Sequence, residues 1–385
     1  MSPGKAAGSR DPRSQETCPD PEPFEEKAMP DHLAASASLA ELKIPSIDSA
    51  AMEAATRRQA ILTKPPDSLG TLEELSIRLA GMTGRLDSPL KEAVVFTVAG
   101  DHGVAAEGVS AYPQAVTGQM VLNFLAGGAA VNVIARALGA RVVVADLGVA
   151  TELPKDPALK RLKVRAGTDN IARGPAMSRA EALSAIEAGR QLLREQLATG
   201  LDVALTGDMG IANTTPSACL VCHFTGLDAA QVVGRGTGVD DAGLARKVET
   251  VRRALAVNHE ASGEPLNALV ALGGFEIAGL VGVILEAASL RRPVLLDGFI
   301  STAAALVAVA LAPACREYLI AGHRSQELGH AAALAALRLR PLLDLDLRLG
   351  EGTGALLALP ILRAAVRVLN EMATFEEAGI SNRGA

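Results

Sequence analysis

The sequence predicts an α/β fold built on a parallel sheet, and three observations predict it. From residue 93 onward, short β-branched runs alternate with longer helical patterns, as in βα units. The runs lead into glycine, most with a polar residue beside it, as at ligand-binding strand ends. The helical stretches between them are rich in Ala, Leu, Val and Gly, and suit close packing on both faces of such a sheet.

Five strands are predicted in order: AVVFTV (93–98), RVVVAD (141–146), DVALT (202–206), PVLLD (293–297) and EYLIA (317–321). Their carboxyl ends read Gly100-Asp101-His102-Gly103, Leu147-Gly148, Gly207-Asp208-Met209-Gly210, Gly298-Phe299 and Gly322-His323-Arg324. Glycine lets a backbone approach a ligand closely, and a nearby helix start offers free N–H groups. Five such ends imply one shared cleft.

Helix starts are signalled by capping-box spacing at Thr71/Glu74 and Ser178/Glu181. Helices over about 48–62, 71–82 and 353–373 are expected to pack as a smaller helical unit. The domain reading is therefore 1–40 as an N-terminal extension, 41–90 as N-terminal helices, 91–345 as the α/β domain, and 346–385 as a return to the small unit. Residues 1–40 carry too much Pro, Ser and charge to bury apolar surface, so disorder is expected there, and Met29 is an alternative start.

Composition restricts the function classes. With 385 residues, 49% of them hydrophobic, the chain can bury a large core. The balance of 37 basic and 43 acidic residues leaves a net charge of -6, and no basic block is present to hold nucleic acid or an anionic membrane. Aromatic residues are 2% and Trp is absent, so base-stacking platforms are scarce. No apolar leader precedes the first helix, and Cys18, Cys219, Cys222 and Cys315 show no framework spacing, which fits reduced thiols and a cytoplasmic location. Two apolar stretches, 268–290 and 299–314, read as buried helices: the first contains Glu276 and Glu286, and the second is shorter than the roughly 20 residues needed to cross a bilayer.

Several motifs bear on chemistry. Cys219-Leu-Val-Cys222-His223 spells a haem-attachment pattern but continues an apolar helix, and three ligands fall short of the four that zinc prefers. No G-x-G-x-x-G joins a strand to a helix, and no Walker loop occurs. Two other glycine loops, GDMGIANTT (207–215) and GRGTG (234–238), precede helices, the second carrying Lys247; together they suit a phosphate dianion. Asp101, His102, Asp208, Asp297 and His323 at strand ends leave a metal-dependent phosphohydrolase open. Glu351, between Gly350 and Gly352 before the last helix, reads either as a cap or as a base lying against a flat substrate.

Eight segments in order carry a resemblance: TKPPDSLGTLEEL (63–75), residues 99–133 beginning AGDHGV, GDMGIANTTPSA (207–218), GRGTGVDD (234–241), LGGFEI (272–277), LLDGFI (295–300), AGHRSQE (321–327) and LGEGTG (349–354). Together they resemble the nicotinate-nucleotide:dimethylbenzimidazole phosphoribosyltransferase family from about residue 45 onward. The resemblance implies a Rossmann-like sheet in three layers with a smaller helical domain, a homodimer, and phosphoribosyl transfer from nicotinate mononucleotide to dimethylbenzimidazole without metal or cofactor. It implies Glu351 as the catalytic carboxylate. For the nucleotide it implies Asp208, Gly210, Asn213, Thr214, Thr215, Arg235, Gly236, Thr237, Gly238, Lys247, Gly273, Gly274 and Ser325, and for the azole Ser110, Tyr112, Gln119, Met209 and Leu349. One departure is visible: the family often reads GEMG where this chain has Gly207-Asp208-Met209-Gly210, so that carboxylate is one methylene shorter. A nucleotide- or azole-binding protein without catalysis would need the same loops but not Glu351.

Overall fold

The computed structural model describes Met1, Leu39, residues 41–260 and residues 263–381. Apart from Met1 and Leu39, the segment expected to be disordered lies outside the described residues, as does Cys18.

The chain enters through α1 (Ser49–Ile61), whose first turn is capped by the Asp48 carboxylate accepting from the Ala51 amide at 2.9 Å. Helix α2 (Thr71–Thr83) follows, but Thr71 is not its cap. The N-cap is Gly70, at φ 52° and with no side chain, while the Glu73 carboxylate accepts from the Leu69 amide at 2.9 Å and meets buried Lys64 at 2.7 Å. A buried ion pair thus fixes this turn in place of the hydroxyl that the spacing suggested.

Strand β1 (Ala93–Gly100) is buried throughout. Helices α3 (Val116–Leu125) and α4 (Ala130–Leu138) are separated by Gly127-Gly128, and lead to β2 (Arg141–Gly148) and the short β3 (Leu159–Arg161). Helix α5 (Arg179–Arg194) begins at the expected capping box, with the Glu181 amide on Ser178 Oγ at 3.2 Å and the Ser178 amide on the Glu181 carboxylate at 2.7 Å. Then come β4 (Val203–Met209), α6 (Thr214–Thr225), the single turn α7 (Ala229–Val232) and α8 (Asp241–Val257), the last capped by Asp240. The apolar stretch 268–290 is broken at Gly273-Gly274 into α9 (Pro265–Leu272) and α10 (Phe275–Ser289). Strand β5 (Val294–Leu296), α11 (Phe299–Leu311) and β6 (Leu319–Ala321) complete the alternation. The last strand starts later than predicted because Pro313–Tyr318 form a 3₁₀ turn that buries Tyr318, whose hydroxyl donates to Pro45 O at 2.9 Å. A small pair, β7 (His323–Arg324) and β8 (Leu343–Asp344), brackets α12 (His330–Leu337), and α13 (Thr353–Glu371) ends the fold.

The main sheet is parallel, in the order β3-β2-β1-β4-β5-β6. Helix α10 packs on β1 and β4 together with α5 and α11, and α13 covers the other face with α3 and α4, which gives the three layers. The Ala- and Gly-rich composition has a packing reason: a Cβ at Gly189 on α5 would lie 1.9 Å from Gly279 O on α10, and one at Gly282 would lie 1.9 Å from Ile186 O. The two helices therefore touch backbone to backbone. Helices α1 and α2 pack on α13, and Arg58 donates to Leu369 O at 3.2 Å and Met372 O at 3.1 Å. Among the described residues, Val116–Leu138 and Thr353–Glu371 are long and apolar enough to cross a membrane by length and composition alone; the second is a core helix of this sheet and the first is the interrupted α3–α4 pair.

Candidate active site

Strand order reverses between β1 and β4, and in open parallel sheets the crevice outside such a pair of carboxyl ends is where ligands bind. Asp101 and His102 follow β1 there, Asp208 and Met209 end β4, Asp297 follows β5, and Glu351 precedes α13.

Glu351 is 5% exposed and sits at φ 64°, a conformation that side-chain-bearing residues rarely adopt. Its amide donates to Asp208 O at 3.2 Å, its carbonyl accepts from Thr97 Oγ1 at 3.0 Å, and its carboxylate accepts from the Val131 amide, in the first turn of α4, at 3.2 Å. Burial pushes the carboxyl up from its ordinary range; the Val131 amide pulls against this and the Asp297 charge adds to it. The approach of β4 requires glycine, since a Cβ at Gly207 would lie 2.3 Å from Glu351 O.

The amino end of α13 has no side-chain cap of its own, because Gly352 is its N-cap. Asp297 serves instead: Oδ2 accepts from the Gly352 amide at 3.1 Å, and Oδ1 from the Gly354 and Ala355 amides at 2.7 and 3.0 Å. Asp208 Oδ2 accepts from Asn213 Nδ2 at 2.9 Å while its Oδ1 has no protein partner, and burial, followed by the Asp297 charge, pushes its carboxyl well up.

The two glycine loops meet at Lys247. This lysine is 1% exposed, and its Nζ donates to Thr214 Oγ1 at 2.7 Å and to Gly234 O at 3.2 Å. Burial pulls its ammonium down to about 8, with Glu327 opposing. A Cβ at Gly236 would lie 2.9 Å from both Lys247 Nζ and Thr214 Oγ1. Thr215 is buried beside Thr214, and Gly238 has a φ of 102°. Arg235 is tied to its own loop, donating to Val239 O at 2.9 Å and pairing with Asp241. Thr237 Oγ1 accepts from the Ala111 amide at 3.0 Å and lies 3.2 Å from Ser110 Oγ, so the second glycine loop also touches the 110–112 segment.

Gly210 and Gly274 are close-approach positions: a Cβ at the first would meet Gly100 O at 2.3 Å, and at the second His102 Cε1 at 2.3 Å. Gly273 closes α9 through its amide on Leu269 O. The Ser325 amide donates to His330 Nδ1 at 2.8 Å. Among the azole candidates, Ser110 and Met209 are half-buried and Gln119 is exposed, while Tyr112 and Leu349 are 55% and 59% exposed. None of the five is fully buried. A cavity of about 300 Å³ lined by Arg78, Arg316, Arg338 and Arg340 shares no residue with this site.

The phosphohydrolase set is drawn apart. His102 pairs with Glu276 at 2.8 Å, Asp101 accepts from the Ala150 amide at 2.8 Å, and His323 lies 3.6 Å from Asp297. Among the described residues no three His, Cys, Asp or Glu side chains converge as a ligand set. Cys219 and Cys222 are free and buried in α6. Sequence reasoning missed Thr97 and the Val131 amide, and it read Asp297 only as a possible metal ligand. A lone threonine within a buried apolar strand is the sole sequence signal for the first of these.

A family model described as Phosphoribosyltransferase matches residues 44–380. A relative from Chloroflexus aggregans is 56% identical over 337 residues, covering 88% of this chain and 96% of its own length, and bears the name nicotinate-nucleotide--dimethylbenzimidazole phosphoribosyltransferase. The chain belongs to this phosphoribosyltransferase family. A Desulforudis audaxviator protein of the same name is 54% identical, over 88% of this chain and 96% of its own. Among solved structures, a crystal structure of CobT from Thermus thermophilus matches with a TM-score of 0.84 at 52% identity, over 87% of this chain and all of that one. The family's fold is therefore this three-layer sheet with its helical annex.

Proposed function

We propose that the chain transfers the 5-phosphoribosyl group of nicotinate mononucleotide to 5,6-dimethylbenzimidazole, giving α-ribazole 5'-phosphate and nicotinate for the nucleotide loop of cobalamin. The relatives' shared name supports the substrates, and the observation that carries the chemistry is Glu351: a buried carboxyl, raised by burial, held beside Asp208 at the switch point of the sheet.

The pyridinium of nicotinate mononucleotide leaves as a neutral ring nitrogen, so the leaving group needs neither an acid nor a metal ion. One azole nitrogen attacks C1' from the face opposite nicotinate, inverting β to α, and the other N–H becomes acidic as charge builds on the ring. Glu351 accepts that proton, in a site where its charge is little screened. Lys247, with the loops at 207–215 and 234–238, holds the 5'-phosphate. Ser110, Tyr112, Gln119, Met209 and Leu349 border the azole.

The chain further acts as a cytoplasmic homodimer in this reading. Leu122 of α3 and Val133 of α4 are apolar and stand 42% and 52% exposed, which suits cover by a second copy, and sedimentation of the full chain tests the dimer. Incubation with nicotinate mononucleotide and dimethylbenzimidazole, followed by product analysis, tests the activity: α-ribazole 5'-phosphate is expected, and binding without product would leave a non-catalytic nucleotide-binding protein.

A further inference from the structure

We propose that Asp297 and Thr97 are positioning residues for Glu351, fixing the left-handed turn that aims its carboxylate into the crevice between β1 and β4; this rests on Glu351 being the base. The turn is tethered to three adjacent strands. Thr97 of β1 donates to Glu351 O at 3.0 Å, Asp208 O of β4 accepts from the Glu351 amide at 3.2 Å, and Asp297, after β5, accepts from the amides of Gly352, Gly354 and Ala355 at 3.1, 2.7 and 3.0 Å. A strained φ persists only where its surroundings over-determine it, and Glu351 at φ 64° is such a case. An ordinary cap would come from the residue preceding the helix, but that residue is Gly352, and its role falls to a carboxylate 55 residues away.

Both Asp297 oxygens are occupied by these amides, and Thr97 is wholly buried, so neither is placed to hold substrate. Their effect passes through the angle of the Glu351 side chain. A displacement of about 1 Å at a reacting group costs roughly 10²-fold in rate. The charged groups around the turn are Asp208 from β4 and Asp297 after β5, with His323 of β7 against Asp297 and the His102–Glu276 pair alongside Asp208. Of these, the Asp297 charge raises the Glu351 carboxyl, so its removal moves the acid limb of the rate profile to lower pH.

The test is Asp297→Asn and Thr97→Val in the full chain, with kcat, the pH profile and calorimetric binding of nicotinate mononucleotide. Each variant is expected to lose roughly 10- to 100-fold in kcat while nucleotide affinity stays within about threefold. The acid limb should fall in Asp297→Asn and stay in place in Thr97→Val. A folded variant of either kind with kcat within about twofold of wild type overturns the proposal, as does a parallel loss of kcat and nucleotide affinity with an unmoved limb in Asp297→Asn. If Asp297→Asn does not fold, Thr97→Val decides by its own kcat. Glu351→Gln is run beside them. Normal turnover there defeats the base itself, whereas an inactive Glu351→Gln with active Asp297→Asn and Thr97→Val defeats only the positioning claim.

Discussion

Lys247 Nζ lies 2.7 Å from Thr214 Oγ1, joining two glycine loops that the sequence separates and placing an ammonium where both can face one phosphate. Burial costs this ammonium its solvation, and a dianion would restore what water supplied.

Lys247→Ala should therefore weaken nicotinate mononucleotide binding far more than it lowers kcat, because in the proposed reading the charge meets the phosphate in ground and transition states alike. An unchanged KM for that substrate would remove Lys247 from the site.

The same residue sets a pH dependence. Its ammonium is held down near 8, so it is charged below that value and neutral above it, and affinity for the nucleotide should decline as pH rises through about 8. Titration calorimetry across this range reads the slope, and an affinity independent of pH would contradict it.

His330 predicts acid sensitivity of the fold. It is fully buried, accepts from the Ser325 amide through Nδ1, and is pulled down to about 3 by burial and the neighbouring His323. The unfolded chain binds this proton near pH 6.5, so stability is complete above that value and is lost as pH falls toward 3, by roughly 5 kcal/mol at most. Denaturant melts between pH 7 and 4 should show a shallower decline in His330→Gln than in wild type. Parallel declines would count against this role.

Turnover should survive excess chelator, since a pyridinium needs no metal ion to leave. Loss of activity with EDTA and its return with a divalent ion would favour metal-assisted chemistry instead.

How far the site could be read from the sequence follows from which contacts are local. Gly-marked strand ends, the Ser178/Glu181 box and the helix carrying Lys247 after the 234–238 loop are short-range signals, and each lies where its pattern put it. The short strands β3, β7 and β8 were not foreseen: each carries a charged residue (LKR, HR and LD) and lacks the apolar run that marked the equally short β5 and β6. Thr71 failed as a cap because the buried Lys64–Glu73 pair, a tertiary interaction, shapes that turn. Asp297 and Thr97 act on residues 55 and 254 positions away, and no spacing rule reaches that far. Ser110, Tyr112, Gln119, Met209 and Leu349 all remain at least partly exposed.

The central claim is that Glu351 takes a proton from the attacking azole, and Glu351→Gln measures it most directly. As a mere cap, Gln would leave kcat near wild type and cost at most about 1 kcal/mol of stability. As the base, Gln keeps the shape without the proton affinity. The account then predicts a kcat lower by roughly 10²-fold or more, with nicotinate mononucleotide still bound. It also predicts a wild-type acid limb above the ordinary glutamate value of about 4.3, because burial raises this carboxyl, and the absence of that limb in the variant. A Gln variant with near-normal kcat and an unchanged pH profile would contradict it.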